Sequence, residues 1–366
     1  MRVLVTGGAG FIGSNFVHHL LREHPSYECV VLDKLTYAGN LENLEGLEAL
    51  PNYRFERGDI CDAHSVAEAM QGADAVVHFA AETHVDRSIV EAGSFVQTDV
   101  YGTSVLLEAA RANGIRRFVH ISTDEVYGDC GERPSREDDP LMPRSPYAAS
   151  KAGADRLAFS YFCTYNLPVV ITRCTNNFGP YQHPEKLVPL FVTNALEGKS
   201  LPVYGHGRNT RDWIHVEDHC RVLDLLLHAD GVEGEVFNVG ANEEHNVLEI
   251  ADLILSILEK PKDLLQHVPD RLGHVRRHAV ETAKIQERLG WAPKESFSSA
   301  MQRTVRWYVE NPAWWSRIKS GEFRKYYENM YGHPDARQAT THAADTGRPS
   351  AGITATLPPP GSPFAG

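Results

Sequence analysis

Short β-branched runs alternate with amphipathic segments through the first half of the chain. Each run is almost continuously apolar, which is typical of strands buried on both faces of a parallel sheet. The segments between the runs place apolar residues at helical spacing. This alternation predicts an α/β fold built on a doubly wound parallel sheet. The predicted strands are Arg2–Thr6, Cys29–Asp33, Tyr53–Glu56, Asp74–Phe79, Arg117–Ser122 and Val169–Arg173, and the predicted helices are Ile12–Glu23, Ser65–Gln71, Gly102–Asn113 and Tyr147–Tyr165.

The pattern changes after residue 176, where loops rich in Gly, Pro, Asn and His separate shorter elements. We expect a smaller, mixed α/β lobe over the carboxyl edge of the sheet, where open α/β sheets bind ligands. We predict a nucleotide-binding domain at 1–175 and a mainly substrate-binding lobe at 176–332, with some segments returning to the first domain. Residues 333–366 are rich in Ala, Thr, Pro and Gly without a period, so we predict a disordered tail. The elements predicted in the second lobe are Val216–Ala229, Val236–Val239, Val247–Leu258 and Phe297–Glu310.

The net charge of the 366-residue chain is −12, which excludes nucleic acid from the expected partners. An anionic ligand must therefore be held by local positive groups. No apolar run approaches the ~20 residues of a membrane span, and Met1 leads directly into a strand. We therefore expect no membrane partner, no signal peptide and a cytoplasmic location. The six cysteines are scattered without a CxxC pair, so we expect free thiols and no metal.

A glycine-rich turn follows the first predicted strand and opens the first predicted helix. Gly8, Gly10 and Gly13 fit G-x-G-x-x-G, and Gly7 with the last two fits G-x-x-G-x-x-G. Such glycines allow a tight turn and close approach to a pyrophosphate, which then meets the helix N-terminus. Asp33 ends the second predicted strand, 20 residues after Gly13. A carboxylate at this position binds ribose hydroxyls and repels a 2′-phosphate. The pattern predicts NAD as cofactor, although the neighbouring Lys34 weakens the preference over NADP.

Tyr147 and Lys151 stand four residues apart on a predicted helix, so they share a face. A tyrosine has a pKa of about 10 and is a poor base at neutral pH. A nearby ammonium together with a positive nicotinamide ring favours the phenolate. Tyr147 would then take the proton from a sugar hydroxyl during hydride transfer. The alternative for this common spacing is an exposed pair on a helix.

Three polar residues, Thr123, Asp124 and Glu125, follow Ser122 at the end of the fifth predicted strand. Polar groups at the top of an apolar strand are costly to bury without a purpose. Two adjacent carboxyl groups push their pKa values apart, which suits an acid and a base. Thr123 would hold the reacting hydroxyl near the tyrosine. A polar capping loop is the alternative.

The motifs T-G-G-A-G-F-I-G-S, A-A-E-T-H-V-D-R-S, S-T-D-E-V-Y-G and Y-x-x-x-K occur in this order. With them the chain resembles the extended short-chain dehydrogenase/reductase family over residues 1–330, and more closely its dTDP-glucose 4,6-dehydratases. The resemblance implies a Rossmann domain, tightly held NAD and a nucleoside-diphosphate hexose as substrate. It also implies a homodimer in which Gly102–Asn113 and Tyr147–Tyr165 form a four-helix bundle with their copies. The stretches 176–181, 184–189, 201–205 and 211–213 also match.

The resemblance implies roles for individual residues. Glu125 would remove the proton at carbon 5, and Asp124 would protonate the departing 6-hydroxyl. Arg211 and Arg271 would clamp the diphosphate, since a guanidinium fits phosphate oxygens, although a salt bridge to Asp212 is an alternative for Arg211. The predicted cofactor contacts are Gly7, Gly10, Phe11, Ile12, Gly13, Asp33, Lys34, Leu35, Thr36, Asp59, Ile60, Phe79, Ala80, Ala81, Thr83, Thr98, Ser122, Tyr147, Lys151 and Asn177. The predicted substrate contacts are His84, Thr123, Asn176, Lys186, Leu187, Pro202, Tyr204, Arg211, Asn246, Arg271 and His274.

The chain departs from the family pattern at two positions of one stretch, and Phe178 also stands where Tyr is frequent. Where the family has D-R-P-G-H-D, this chain has Leu272 and Val275 in place of Pro and the last Asp. The loss of a carboxylate puts the local fit of the nucleotide in question. A sugar-nucleotide 4-epimerase of the same family and a non-catalytic NAD sensor are the alternatives. The Asp124–Glu125 pair argues against the first, and the retained Thr123, Tyr147 and Lys151 argue against the second.

Overall fold

The computed structural model describes residues 1–321, so the predicted disordered tail at 333–366 lies outside the described residues. The strands are β1 Arg2–Thr6, β2 Glu28–Asp33, β3 Tyr53–Arg57, β4 Ala75–His78, β5 Arg117–Thr123, β6 Val169–Cys174, β7 Asn176–Phe178, β8 Leu201–Tyr204, β9 Thr210–His215, β10 Val236–Val239, β11 Glu244–Asn246, β12 Leu265–Val268 and β13 Arg277–His278. The helices are α1 Phe11–Glu23, α2 Ala63–Met70, α3 Val85–Val90, α4 Ala92–Phe95, α5 Thr103–Ala112, α6 Pro146–Tyr165, α7 Leu187–Leu196, α8 Val216–His228, α9 Val247–Ile257, α10 Ala283–Leu289, α11 Phe297–Glu310 and α12 Pro312–Lys319. A π-helical segment, Val96–Gly102, joins α4 to α5.

Seven parallel strands form the main sheet, in the order β10-β6-β5-β4-β1-β2-β3. The strand order reverses between β1 and β4, which leaves a crevice outside their carboxyl ends. The predicted fold class, an α/β doubly wound sheet, is confirmed. The predicted strand and helix bounds agree with the observed ones to within two residues, and the differences lie at element ends, which fray and carry no apolar signal.

Apolar side chains cover both faces of this sheet. On one face, α1 and α8 pack through Phe16, Leu20, Leu223 and Leu226. On the other face lie α2, α5 and α6, in a core that includes Leu106. Both sides of the strands are therefore buried, which explains why their sequences read as apolar runs rather than as alternating patterns.

The second lobe has its own apolar core between α7, α9, α11 and α12. A small sheet borders it, in which β9 pairs with β7, β11 and β13. Between residues 216 and 239 the chain returns to the main sheet, where β10 pairs with β6 and α8 packs on α1. This return joins the two lobes, so β9 is held at the mouth of the crevice.

A buried arginine connects strands, helix and loop near the crevice. Arg173 on β6 is 1% exposed and donates to both carboxylate oxygens of Asp155 on α6, at 2.9 and 3.1 Å. It also donates to the hydroxyl of Tyr127 and to the carbonyl of Glu137. Burial opposes ionisation of Asp155, but the hydrogen bonds from Arg173 outweigh it and hold the pKa of that carboxyl below its usual value. The network fixes α6 against the end of β5.

All six cysteines are free thiols, as their scattered spacing predicted. Across the described part of the chain, every helix is too short or too polar to span a bilayer.

Candidate active site

One long crevice runs over the carboxyl ends of β1, β2, β4 and β5 and gathers most of the predicted cofactor residues. The predicted residues that line it are Gly7, Gly10, Phe11, Ile12, Gly13, Asp33, Lys34, Thr36, Asp59, Ile60, Phe79, Ala80, Ala81, Thr83, His84, Thr98, Ser122, Thr123, Asp124, Glu125, Tyr147, Lys151, Asn176, Asn177 and Lys186. The predicted cofactor and catalytic residues, which are remote from one another in sequence, therefore face a single space.

The turn after β1 requires glycine for steric reasons. Gly7 has a φ of +72°, and a Cβ there would lie 2.5 Å from the backbone nitrogen of Ala80. A Cβ on Gly13 would collide with the carbonyl oxygen of Gly7. The N-terminus of α1 begins at Gly10 with no side-chain cap and no acidic residue in its first turn. Its first N–H groups are thus available to phosphate oxygens.

Asp33 at the end of β2 lines the crevice and also holds the turn together. Its carboxylate accepts the N–H of Ala9 at 2.9 Å and that of Leu35 at 2.8 Å. Lys34 forms a 2.6 Å ion pair with Asp59. The charge of Lys34, which weakened the prediction of NAD over NADP, is therefore already paired with a carboxylate of the protein. Leu35 contributes its backbone N–H to Asp33 rather than a side chain to the crevice.

The proposed catalytic side chains come from β5 and α6. Thr123 ends β5, and its hydroxyl accepts the N–H of Glu125 and donates to Asp124, both at 3.3 Å. Ser145 caps α6 and Pro146 occupies its first turn, which places Tyr147 and Lys151 over the strand end. Lys151 donates to the carbonyl of Ile121 at 2.7 Å. Tyr147 and Thr123 line the same stretch of the crevice.

The two carboxyl groups sit in different electrostatic surroundings. Burial, and then repulsion from Glu125, raises the pKa of Asp124 to about 8. Its Oδ2 is buried without a hydrogen-bond partner among the described residues. Burial also raises the pKa of Glu125, but Arg271, Arg211 and Lys186 each oppose that rise. At neutral pH Asp124 is therefore the better proton donor and Glu125 the better proton acceptor.

The protein's own groups do not favour a tyrosine phenolate. Burial, followed by the charge of Glu125, raises the pKa of Tyr147 well above 10, and the hydrogen bond with Thr123 only partly offsets this. Burial lowers the pKa of Lys151, while Asp99 opposes that shift. Desolvation dominates both residues, so the protein groups alone favour the protonated phenol, and the combined effect of the ammonium and a nicotinamide ring stays a prediction.

A side crevice opens beside Glu125 towards the second lobe. Of the predicted substrate residues, Asn176, Arg211, Arg271 and His274 line it. Arg211 donates to the carbonyls of Thr210 and Val275, so the alternative of a salt bridge to Asp212 is not what the structure shows.

Arg271 is held by a buried carboxylate that sequence reasoning did not assign. Its NH1 lies 3.6 Å from Asp86, which also accepts the hydroxyl of Tyr204 at 3.0 Å. The guanidinium stacks over the Tyr204 ring at 5.6 Å. Asp86 belongs to the A-A-E-T-H-V-D-R-S motif, which was the available signal. Other unpredicted lining residues include Arg144, Cys174, Thr175, Gln182, His183 and His278.

Several predicted residues lie outside the lining of both crevices. Asn246 caps α9 by accepting the N–H groups of Leu248 and Glu249. Leu187 begins α7 and Pro202 lies in β8. All three residues lie in the second lobe, and none of them lines either crevice.

The two departures from the family pattern have different surroundings. Leu272 is 71% exposed, while Val275 is buried. The carbonyl of Val275 accepts hydrogen bonds from Arg211 and Asn209. The loop is thus anchored through its backbone at the position where the family has a carboxylate.

Comparison with known proteins gives one consistent group of relatives. The family model described as GDP-mannose 4,6 dehydratase matches residues 4–304. A dTDP-glucose 4,6-dehydratase of Streptomyces niveus is 53% identical over 324 residues, covering 87% of this chain and 96% of the relative. The crystal structure of DesIV, a dTDP-glucose 4,6-dehydratase of Streptomyces venezuelae with NAD and TYD bound, has a TM-score of 0.85 and 51% identity, covering 87% of this chain and all of DesIV. A UDP-glucose 4-epimerase of Thermus thermophilus in complex with NAD is more distant, at 32% identity and a TM-score of 0.79, covering 85% of this chain and 100% of that one.

The raised pKa of Asp124 predicts a pH-dependent cost to stability. In the folded chain this carboxyl keeps its proton up to about pH 8, whereas in the unfolded chain it loses the proton near pH 4. Stability should therefore fall as the pH rises through this window, by at most about 1.4 kcal/mol per pH unit. Asp124→Asn removes the effect, so its stability relative to wild type should increase from pH 5 to pH 8 in urea unfolding.

Asp230→Asn, on an exposed loop, controls for the loss of one carboxyl group. A stability difference between Asp124→Asn and wild type that stays constant from pH 5 to pH 8 would contradict the assignment.

Proposed function

The chain belongs to the dTDP-glucose 4,6-dehydratase family, and on that premise we propose that it converts dTDP-glucose to dTDP-4-keto-6-deoxyglucose and water, with NAD regenerated in each turnover. The observation that carries this proposal is the Asp124–Glu125 pair, which lies beside Tyr147 and Lys151 in a single crevice. Elimination of water requires an acid and a base at the same time, and the two carboxyl groups meet this requirement. The product would enter deoxysugar biosynthesis.

The residues that line the crevice suit two parts of NAD, the pyrophosphate and the adenosine ribose. Uncapped N–H groups of α1 suit the pyrophosphate, and the carboxylate of Asp33 suits a ribose with free hydroxyls. When bound, the oxidised cofactor accepts a hydride from carbon 4, returns it to carbon 6 and adds positive charge beside the tyrosine. The two structures of DesIV, one of them a double mutant, both carry NAD, which supports the assignment.

Tyr147 would receive the proton of the 4-hydroxyl as carbon 4 is oxidised to a ketone. Thr123 would hold that oxygen, since its hydroxyl lines the crevice together with Tyr147 and Asp124. Lys151 anchors α6 to β5 through the carbonyl of Ile121. Burial disfavours the phenolate, so its formation depends on the added positive charge.

The new ketone acidifies the proton at carbon 5, and Glu125 would remove it. Asp124, which is protonated at neutral pH, would pass its proton to the 6-hydroxyl, so that the carbon–oxygen bond breaks and water leaves. Glu125 then returns its proton to carbon 5 as hydride reaches carbon 6. The cycle closes when the proton taken by Tyr147 restores the one given by Asp124, and the sugar has lost one water overall.

The nucleoside diphosphate would lie along the side crevice. Arg211 and Arg271 line it, and their guanidinium groups suit phosphate oxygens. Lys186 lines the long crevice, and its ammonium donates to Thr83 at 3.0 Å. Thymidine is the proposed base, because dTDP-glucose dehydratases are close relatives and the DesIV structure holds TYD.

The reaction is tested with dTDP-glucose that carries deuterium at carbon 4. Mass spectrometry should find one label per product at carbon 6 and the loss of one water, because the cofactor returns the same hydride. A product of unchanged mass with inverted carbon 4 would instead support the epimerase alternative, which the more distant epimerase structure keeps open. Binding of NAD without any product would support the sensor alternative.

Replacing Glu125 separates oxidation from elimination. In Glu125→Gln the base at carbon 5 is lost, so bound cofactor should become reduced on addition of substrate while turnover falls by about 10²–10⁴-fold. The near-ultraviolet absorbance of NADH follows the first step, and product formation follows the second. Glu91→Gln, on the exposed surface, serves as the control. Wild-type turnover in Glu125→Gln would remove this residue from the mechanism.

We also propose a cytoplasmic homodimer formed through the four-helix bundle. Val96 and Tyr101 precede α5, Tyr165 ends α6, and all three are 48–55% exposed. Large apolar side chains at this density suit a protein interface. Sedimentation at micromolar concentration should give the mass of two chains, whereas Tyr101→Glu should shift the equilibrium towards one. A monomeric wild type would contradict the proposal.

A further inference from the structure

Three histidines surround one aspartate at the end of the molecule away from the crevice. Asp224 lies on α8, His228 is the last residue of that helix, and His24 caps the C-terminus of α1. Asp224 Oδ1 is 2.8 Å from His24 Nε2 and 3.2 Å from His228 Nδ1. Its other oxygen is 3.1 Å from His19 Nε2. One carboxylate thus joins two helices through imidazoles that are 200 or more residues away along the chain.

The surroundings of His19 fix the direction of this carboxylate. Arg22 donates to His19 Nδ1 at 3.3 Å, so the ring hydrogen must be on Nε2. His19 therefore donates to Oδ2 of Asp224, and Oδ1 is left facing the other two rings. In metal sites, a residue outside the coordination shell often orients a ligating carboxylate by a hydrogen bond of this kind.

We propose that His24, Asp224 and His228 form a binding site for one divalent transition-metal ion. One ligand atom from each residue lies within 4.8 Å of the other two. This is the one place among the described residues where three such donors converge. Two imidazoles and a carboxylate select zinc, nickel or copper over magnesium and calcium. All three side chains are only partly buried, so solvent can complete the coordination shell.

Metal binding requires a rearrangement of protons that the neighbours permit. His228 Nδ1 now faces two acceptors, the Oδ1 and the backbone carbonyl of Asp224. Its Nε2 lies 2.9 Å from the hydroxyl of Tyr27, which can accept a hydrogen as well as donate one. The ring hydrogen of His228 moves to Nε2 and that of His24 to Nδ1. Each neutral ring then offers a lone pair to the metal without a net loss of protons.

The packing beneath the cluster holds the donors in place. Phe16 and Leu20 of α1 pack with Leu223 and Leu227 of α8 in one buried core. The ring of His24 stacks on Tyr27 with centroids 4.6 Å apart. Of the nearby cations, Arg22 is paired with Glu23 and Arg221 with Asp218. Their repulsion of a metal ion is therefore reduced.

The ion would act as a structural clamp rather than in catalysis. Helix α1 has 13 residues, so its C-terminus lies about 20 Å from the glycine turn at its other end. A metal bound only by the folded chain stabilises it by mass action. It would fix α1, which carries the cofactor turn, to α8, which follows β9 and Arg211.

The test uses Zn²⁺ with the full, tag-free chain after removal of metals by a chelator. Calorimetry should show one equivalent bound with a dissociation constant on the order of micromolar. Saturating Zn²⁺ should raise the melting temperature, whereas Mg²⁺ should not. His24→Gln and His228→Gln should each weaken binding by more than the ~10–100-fold typical of losing an outer partner and should abolish the thermal shift.

His64→Gln is the matched control, since His64 and Glu68 form an exposed histidine–carboxylate pair at the same i,i+4 spacing. It should bind Zn²⁺ as wild type does. His228 is on the surface, so its substitution reports on the site even if Asp224→Asn fails to fold. Equal Zn²⁺ affinity in wild type and both histidine variants, or no stoichiometric binding to wild type, overturns the proposal.

Discussion

The proximity of buried Asp124 to half-buried Glu125 is the constraint on which the proposed chemistry depends. Two adjacent carboxyl groups that are largely withdrawn from water cannot both ionise cheaply, so Asp124 keeps its proton. The arginines and the lysine on the side of Glu125 decide which one becomes the base. A proton donor and a proton acceptor therefore exist side by side before any substrate binds, at a cost to stability that the rest of the fold must offset.

The rest of the fold supplies that environment from two directions. The main sheet provides Thr123, Asp124 and Glu125 at the end of β5, and α6 lays the tyrosine and lysine over them. The cations come from the other lobe, through β9 and the loop that carries Arg271. Because α8 and β10 return to the main sheet after β9, the strand that carries Arg211 is tied to the sheet that carries the carboxyl groups.

Buried partners also hold the cations in working directions. Asp86 pairs with Arg271 and with the hydroxyl of Tyr204, while backbone carbonyls hold Arg211. At a distance from the reaction, the same helix that presents the cofactor turn ends in the histidine cluster on Asp224. The C-terminal end of α1 is thus tied to α8, the helix that follows β9 in the chain.

The sequence by itself determined the sheet, the glycine turn, the identity of Asp33 and the spacing of Tyr147 and Lys151. These are local features, because strand periodicity, turn sterics and helical spacing act over fewer than about ten residues. The order of these motifs was also sufficient to indicate the family. The pairing of Lys34 with Asp59 and the capping role of Asn246 were not predicted from the sequence, since the type of a residue does not reveal its neighbour in space. The tertiary structure alone decided in which direction the pKa values of Asp124, Tyr147 and Lys151 shift, because desolvation depends on what the whole chain packs over them. It also decided the meeting of His24 with Asp224, since no sequence pattern spans a contact made by packing one helix against another 200 residues away.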